Sequence, residues 1–430
     1  MRRYESYKDS GVEWLGEVPH CWDVKKVKNI FHLIVEPAAK NNQCELLSVY
    51  TDIGVKPRAE LEERGNKAST TDGYWIVKKG DIVVNKLLAW MGAIGLSEYD
   101  GVTSPAYDIL RPHQQINGKF FHYLFRTPLC LSEFKKNSRG IMDMRLRLYF
   151  EELGNIYIPF PSYQEQQKIA QFLDDKTAKI DQAVNLAEKQ IALLKEHKQI
   201  LIQNAVTRGL NPDVPLKDSG VEWIGQVPEH WESFRFKRVV EKVKDGTHGT
   251  HSRTEQGYPL LSAKNIFNNG IQITDNESLI SEYDFKLITS NGFPRKNDLL
   301  VTCVGSIGRC CIYPFDEPIA FQRSVAFLRL NKKAFPGFYR YFIESNCYQE
   351  QLKTNTKLSI QGGVYLGTLI DLYVCFPPLS EQQTITIYLD TQTAKIDQAI
   401  ALKTAHIEKL KEYKSVLIND VVTGKVRVSV

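Results

Sequence analysis

Two blocks of this chain are written twice, and that constrains its fold more than any single motif. Lys8 to Trp22 (KDSGVEWLGEVPHCW) returns as Lys217 to Trp231 (KDSGVEWIGQVPEHW), identical at 11 of 15 positions with an offset of 209 residues. Leu173 to Ala183 (LDDKTAKIDQA) returns as Leu389 to Ala399 (LDTQTAKIDQA), with 9 of 11 identities and an offset of 216. An internal repeat fixes the architecture first, because both copies must fold into the same unit. Between the matched blocks the second copy is seven residues longer and mostly unrelated. The shared parts therefore do one job twice, and the variable parts carry two different specificities on one symmetric frame.

The stretch Ser162 to Val206 has no Pro and no Gly. Its apolar residues Ile180, Val184, Ala187, Ile191, Leu194, Leu201 and Ala205 step by threes, fours and sevens, the stripe of a coiled coil. The same register returns 216 positions later at Ile396, Ile400, Ile407, Leu410, Leu417 and Val421. Ser162 and Glu165 form a capping box, Pro159 and Pro161 lie just outside, and Gly209 follows the far end. About 45 residues at about 1.5 Å each make a rod on the order of 65 Å. Lys198 and its counterpart Lys414 interrupt the stripe; either they fix an antiparallel register or they snorkel outward. The linker Gly209 to Pro215, with Gly, Asn and two prolines, favours a chain that turns back on itself over pairing between two chains.

With 430 residues, 43% hydrophobic and 24% charged, the chain is long enough for two or three folded domains. A net charge of +5 is compatible with a polyanionic partner but does not require one. No apolar run reaches the ~18 to 20 residues of a membrane span, and the start MRRYESYKDSGVEW lacks a signal-peptide core, so a cytoplasmic location with no membrane partner is expected. Eight cysteines without a Cys-x-x-Cys pair read as reduced thiols.

The variable segments, near 23 to 158 and 232 to 375, hold short β-like runs such as 75–77, 81–84 and 299–302, separated by turn residues. Each contains a strand followed by Gly-x-x-Gly: Gly92 to Gly95 and Gly305 to Gly308. Around these turns stand residue types suited to DNA: Lys86, Trp90 and Met91 in the first copy, and Ser306, Arg309, Gln322 and Arg323 in the second. Arg145 and Arg147, in MDMRLRL, are by location the first copy's counterpart of the segment before the second copy's last strand. Lys264 and Asn265 follow an apolar run, and Gln361 precedes the last strand in the same manner. His248 and His251 are three apart in DGTHGTH, but without an evident carboxylate or cysteine set they read as part of a Gly-rich loop facing a partner and not as a metal site.

Nuclease, methyltransferase and motor chemistry each need a recognisable kit. A nucleotide-cradling Gly-x-x-x-x-Gly-Lys-Ser/Thr loop is missing, as is an Asn/Asp-Pro-Pro-aromatic loop. Glu412-Tyr-Lys414 matches a nuclease tail only by chance, being on the coiled-coil helix. A recognition protein without a catalytic centre or metal is the expectation; the alternative is a coiled-coil adaptor gripping other proteins, distinguished by whether binding weakens steeply with salt.

The repeated SGVEW-[LI]-G-x-VP block, the Pro-rich entry before Glu165-Gln-Gln167 and Glu381-Gln-Gln383, and the TAKIDQA helices together resemble the specificity (HsdS) subunits of type I restriction–modification systems, over nearly the whole length. GYWIVKKGDIVVNKLLAWMGAIG resembles a first target-recognition domain of that family, and DGTHGTH with PLLSAKNI a second. The resemblance implies an α+β protein: two α/β target-recognition domains (1–160 and 209–376) separated by two long antiparallel coiled-coil helices (161–208 and 377–430), related by a pseudo-two-fold repeat. It implies that each domain reads half of a bipartite double-stranded DNA site through the major groove. The partners implied are two modification subunits that methylate adenine with S-adenosylmethionine, and restriction subunits that use ATP and Mg2+, none of these cofactors being bound by this chain. Because Pro378 replaces the cap serine and Ser380 follows, the second helix is expected to start two residues late.

Overall fold

The computed structural model describes residues 2–60, 71–142, 145–355 and 363–428. Two compact units emerge: Met1–Glu188 with Thr404–Val430, and Lys189–Lys403. The long helices Tyr163–Arg208 (46 residues) and Leu379–Val422 (44 residues) run without a break, as the absence of Gly and Pro allows. Each passes from one unit into the other, so each unit holds the first part of one helix and the last part of the other. Among the described residues no helix is long and apolar enough to cross a membrane.

The second helix does not begin late. It starts at Leu379, the counterpart of Tyr163. Ser162 Oγ accepts from Glu165 N (3.3 Å) at the first start, but what both starts share is a buried glutamine. Gln166 donates to Pro161 O (2.9 Å) and accepts from Asn117 N (2.9 Å). Gln382 donates to Pro377 O (2.9 Å) and accepts from Phe335 N (2.7 Å). A fully satisfied buried amide fixes the helix entry where a cap serine is missing.

The helices pair antiparallel within the one chain. In the second unit Lys403 reaches Gln190 (2.7 Å) and Lys198 reaches Asp397 (2.7 Å); in the first, Lys414 reaches Asp181 (2.7 Å). Of the two roles open to Lys198 and Lys414, the structure shows the cross-helix one: each meets the aspartate of the opposite TAKIDQA block. In the first unit Ile180, Val184, Ile407 and Leu417 are buried and Leu410 half-buried; in the second Ile396 is buried and Ile191, Leu194, Leu201 and Ile400 half-buried. The blocks keep three polar residues whose partners match: Asp181 and Asp397 meet the lysines, and Thr177 and Thr393 lie beside Tyr123 Oη (3.3 Å) and Tyr341 Oη (3.0 Å). Asp174 accepts from Tyr123 Oη (2.8 Å) and Asp390 from Tyr341 Oη (2.7 Å).

Each unit carries a four-stranded antiparallel sheet of the same order. In the first, Phe31–Ile34, Tyr107–Pro112, Ile82–Asn85 and Ile94–Leu96 lie side by side; in the second, Val240–Asp245, Val325–Leu330, Leu299–Thr302 and Cys310–Ile312. Two-pronged ion pairs hold matching strands: Arg111 on Asp81 (2.8 and 2.8 Å) and Arg329 on Asp298 (3.0 and 2.7 Å). The common frame thus extends well into segments whose sequences do not match. What differs is the excursion between the first two strands in chain order. It holds the hairpin Leu47–Tyr50 with Gly54–Pro57 in the first unit, and Tyr258–Leu261 and the helix Glu282–Ser290 in the second.

The tryptophan ending each repeated block anchors a core, edge-on to Phe120 for Trp22 and to Phe338 for Trp231, both at 6.4 Å. The far ends of the helices land there. A Cβ on Gly424 would strike Pro19 at 2.4 Å, and one on Gly209 would meet Trp231 at 3.2 Å; both glycines have positive φ. Glycine is therefore required at Gly424 by conformation and by space.

Candidate nucleic-acid interface

One end of each sheet collects the candidate residues. In the first unit this end is formed by Ile34, Tyr107, Asn85 and Ile94; in the second by Asp245, Val325, Thr302 and Cys310. The loops leaving it carry Lys86, Trp90 and Met91 in the first unit, and His248, Ser306, Gln322 and Arg323 in the second. Residues far apart in sequence meet because antiparallel order puts alternate strand ends on one rim.

In the first unit the segment around Arg145 and Arg147 is tied to this rim by Leu148 N donating to Lys86 O (2.9 Å). Both arginines are exposed. Lys86 is not a free cation: Nζ donates to Pro105 O (2.9 Å) and pairs with Asp108 (3.2 Å), whose carboxyl burial pushes above its ordinary value against the pull of Lys86. Trp90 donates from Nε1 to Leu87 O (3.1 Å) and lies under Lys135 Nζ (4.9 Å). Met91 is 49% exposed. Leu87, Leu88, Ile141 and Met142, apolar side chains not foreseen from the sequence, are all exposed here. KLLAWM reads in sequence as more strand, and nothing local marks it as a solvent-facing turn.

In the second unit Thr247 bridges to Gln322, and Arg323 N donates to Thr247 O (3.0 Å), so the DGTHGTH loop and the Gln322-Arg323 loop are one assembly. Ser306 and Arg323 are exposed. His248 meets Asp245 (2.6 Å) at the surface, while His251 is held between Thr247 Oγ1 (2.9 Å) and Asp284 (3.0 Å). Asp245 belongs to the motif itself, while the Asp284 carboxylate is supplied by the fold, and the two order the loop. Among the described residues no group of three His, Cys, Asp or Glu side chains is placed to hold a metal ion. Beside the loop lies a recess of about 490 Å³ bounded by Lys244 and the end of the Glu282–Ser290 helix. Burial, and then neighbouring Lys242, holds the Lys244 ammonium below its usual value.

Three candidates stand differently from expectation. Asn265 is buried and committed: it completes a capping box with Ser262 and donates to Gln272 O (3.0 Å) and Glu277 (2.7 Å), leaving no edge for a base. Lys264 is exposed but paired with Glu277 (2.8 Å), and its hydrogen bond holds that carboxyl below its ordinary value. Arg309 stacks over Phe267 (5.1 Å) and lines a recess with Arg340 and Asp390, toward the long helices and away from the rim. Gln361 lies outside the described residues.

The two Gly-x-x-Gly turns are not equivalent. Gly92 (φ 100°) and Gly308 (φ 83°) each stand two residues before the last strand of their sheet, so the true alignment is shifted by three. Gly95 lies within its strand, where a Cβ would come within 2.8 Å of the His122 ring. It serves packing and not the approach of a ligand.

Comparison with known proteins agrees with this architecture. The family of the type I restriction modification DNA specificity domain matches residues 19–191 and again 228–412. The type I restriction enzyme MjaVIII specificity subunit of Methanocaldococcus jannaschii is 24% identical, over 81% of this chain and 81% of its own. The EcoBI specificity subunit of Escherichia coli is 24% identical, over 77% and 71%. A chain solved in work on complex assembly and conformational transition of the type I R-M system has the same fold, with TM-score 0.74 at 13% identity, covering 95% of this chain and 99% of that one. The HsdS subunit from Thermoanaerobacter tengcongensis follows with TM-score 0.55 at 14% identity, covering 95% and 98%. With two copies of the domain on a frame that repeats residue by residue, the chain belongs to the type I restriction modification DNA specificity family.

Proposed function

We propose that this chain selects the DNA site for a type I restriction–modification complex. Each unit reads one half of a bipartite double-stranded site through the major groove from the rim of its sheet, and the paired helices set the spacing between the halves. The observation that carries this reading is the pair of equivalent rims: the same sheet end, built by the same strands, presents Trp90, Met91, Arg145 and Arg147 in one unit and His248, Ser306, Gln322 and Arg323 in the other. One frame with two sets of side chains is what two half-sites require.

In this reading the chain works in the cytoplasm and contributes recognition, while chemistry belongs to partners. Two modification subunits methylate adenine with S-adenosylmethionine, and restriction subunits translocate and cut with ATP and Mg2+. The modification subunits sit along the helices and adjoining faces. Exposed apolar residues at matching places support this: Leu186 and Val416 in the first unit, Leu402 and Ile200 in the second.

The test is to co-express the chain with its modification subunit and map methylated adenines across the host genome. A split motif with an unspecified centre is expected, and replacing residues 23–158 with another first-domain segment should change one half alone. Methylation without a motif, or a swap that alters both halves, would overturn the reading.

A further inference from the structure

The repeated block holds more identity than its fold demands. Asp9 and Asp218 accept from Gly11 N and Gly220 N (2.9 Å each), and Ser10 and Ser219 bracket Val12 and Val221. Gly11, Gly16, Gly220 and Gly225 have positive φ. Leu15, Val18 and Trp22, with Ile224, Val227 and Trp231, are buried. Those requirements explain the turn and its attachment to the core. They do not explain Glu13-Trp14 and Glu222-Trp223. The two glutamates are exposed, Trp14 is half-buried and Trp223 is 39% exposed. None of the four makes a side-chain hydrogen bond, ion pair or ring contact among the described residues.

Exposed positions of the same block have drifted apart where no side-chain hydrogen bond or ion pair holds them: Glu17 against Gln226 and His20 against Glu229. The Glu-Trp pair has not drifted. One pair beside Trp223 also has a counterpart in the first unit. In the second unit Trp223 lines an open groove of about 610 Å³ with Arg235, Asp371 and Tyr373. Arg235 stacks on Tyr373 at 5.2 Å, and in the first unit Lys26 stacks on Tyr157 at 5.1 Å.

An exposed surface kept the same on two units that otherwise diverge meets the same partner twice. The loops are acidic, one lysine against three carboxylates over Lys8–Glu17 and one against two over Lys217–Gln226, a balance that favours a basic protein surface over phosphate as the occupant. Tryptophan is among the residues most enriched as anchors of protein interfaces. We propose that Glu13-Trp14 and Glu222-Trp223 are matching anchors, one on each unit, for two copies of the modification subunit. Each copy takes the indole into an apolar recess and sets a basic side chain against the glutamate. The inference rests on the reading that such subunits bind in two copies.

Native mass spectrometry of the full chain with its modification subunit tests it. The unaltered chain should hold two subunits. Glu13→Lys with Trp14→Ala should lose one, with affinity at that site falling about 100-fold; Glu222→Lys with Trp223→Ala should lose the other, and all four changes should leave the chain alone. Glu17→Lys and His20→Glu, exposed changes in the same block, should keep two. If an alanine variant fails to fold by thermal melting, the glutamate reversals alone carry the test, each weakening its own site. Two subunits held with unchanged affinity by the fully altered chain would overturn the anchors. An unaltered chain holding none or one would instead overturn the two-copy reading beneath them.

Discussion

The same position in the two units shows how one frame takes different chemistry. At the fifth residue of the helix that follows the sheet, the first unit has His122 and the second Arg340. His122 packs beneath Gly54 and Gly95 and accepts from Leu96 N (3.3 Å). Arg340 turns to Asp390 (3.1 Å) and Glu344 (3.6 Å). The thiols are just as unequal. Cys130 is the one buried cysteine in the first unit among the described residues, against Cys303, Cys310, Cys311, Cys347 and Cys375 in the second. Equal folds have therefore been given opposite sensitivities, which teaches that backbone architecture was held fixed while the titratable contents were free to vary.

The largest expected contrast is in pH. Burial pushes Cys347 up to about 11, Cys303 and Cys311 to about 12, and Cys310 and Cys375 well above the ordinary value. Unfolded thiols ionise near 8.5 while folded ones stay protonated. Stability present below that pH is lost as pH rises toward the folded values, by about 1.4 kcal/mol per pH unit per thiol. In the first unit burial, and then Arg126, holds His122 down to about 4. Stability present above about pH 6.5 is lost as pH falls to about 4, up to about 3 kcal/mol. Hydrogen exchange read separately for each unit should show the second loosening first in alkali and the first in acid. Both loosening together at either extreme would break the contrast.

A smaller effect sharpens what the units share. Arg329→Ala strands buried Asp298 and Arg111→Ala strands buried Asp81, each costing about 3–5 kcal/mol as an uncompensated internal charge. Denaturant melts should fall by similar amounts for both, and a loss confined to one would deny their equivalence. The smallest difference lies at the helix entries. Glu381 accepts from Trp231 Nε1 (2.9 Å) and contacts His230 (2.7 Å), whereas Glu165 accepts from Tyr4 Oη (2.6 Å) and Trp22 Nε1 has no partner among the described residues. Glu381→Ala should cost about 1–3 kcal/mol by orphaning a buried donor, and Glu165→Ala about 1 kcal/mol. Equal losses in melts would show the two tryptophans to be alike after all.

The repeat and the helical stripe were legible because they are local and periodic. Ile180 predicts Ile396 by counting. The shared sheet was not, since pairs such as Asp81 with Arg111 and Asp298 with Arg329 are long-range and leave no local pattern. The same limit explains the misaligned glycines: matching letters suggested Gly92 to Gly305, while strand ends give Gly92 to Gly308. For the candidate interface, residue type picked out positions that the fold gathers, for the most part, at one rim of each sheet. It could not foresee that Asn265 would be used by Ser262 and Glu277, or that Arg309 would face the helices. The late start assigned to the second helix failed because Gln382, and not a serine, does the fixing.

The excursions of the two units share one end geometry. Each leaves one outer strand of its sheet and re-enters two strands away, with a single strand between: Tyr107–Pro112 in the first unit and Val325–Leu330 in the second. Because the exit and entry strands run parallel, the two ends stand about 10 Å apart across the sheet and about 13 Å along it. Closing a longer insert over that fixed gap costs only about 0.6 kcal/mol per doubling of its length. The sheet is thus a socket of standard gauge. It specifies where a replacement must begin and finish and is indifferent to the pattern carried between, so exchange of recognition content becomes a matter of end geometry, not of sequence kinship.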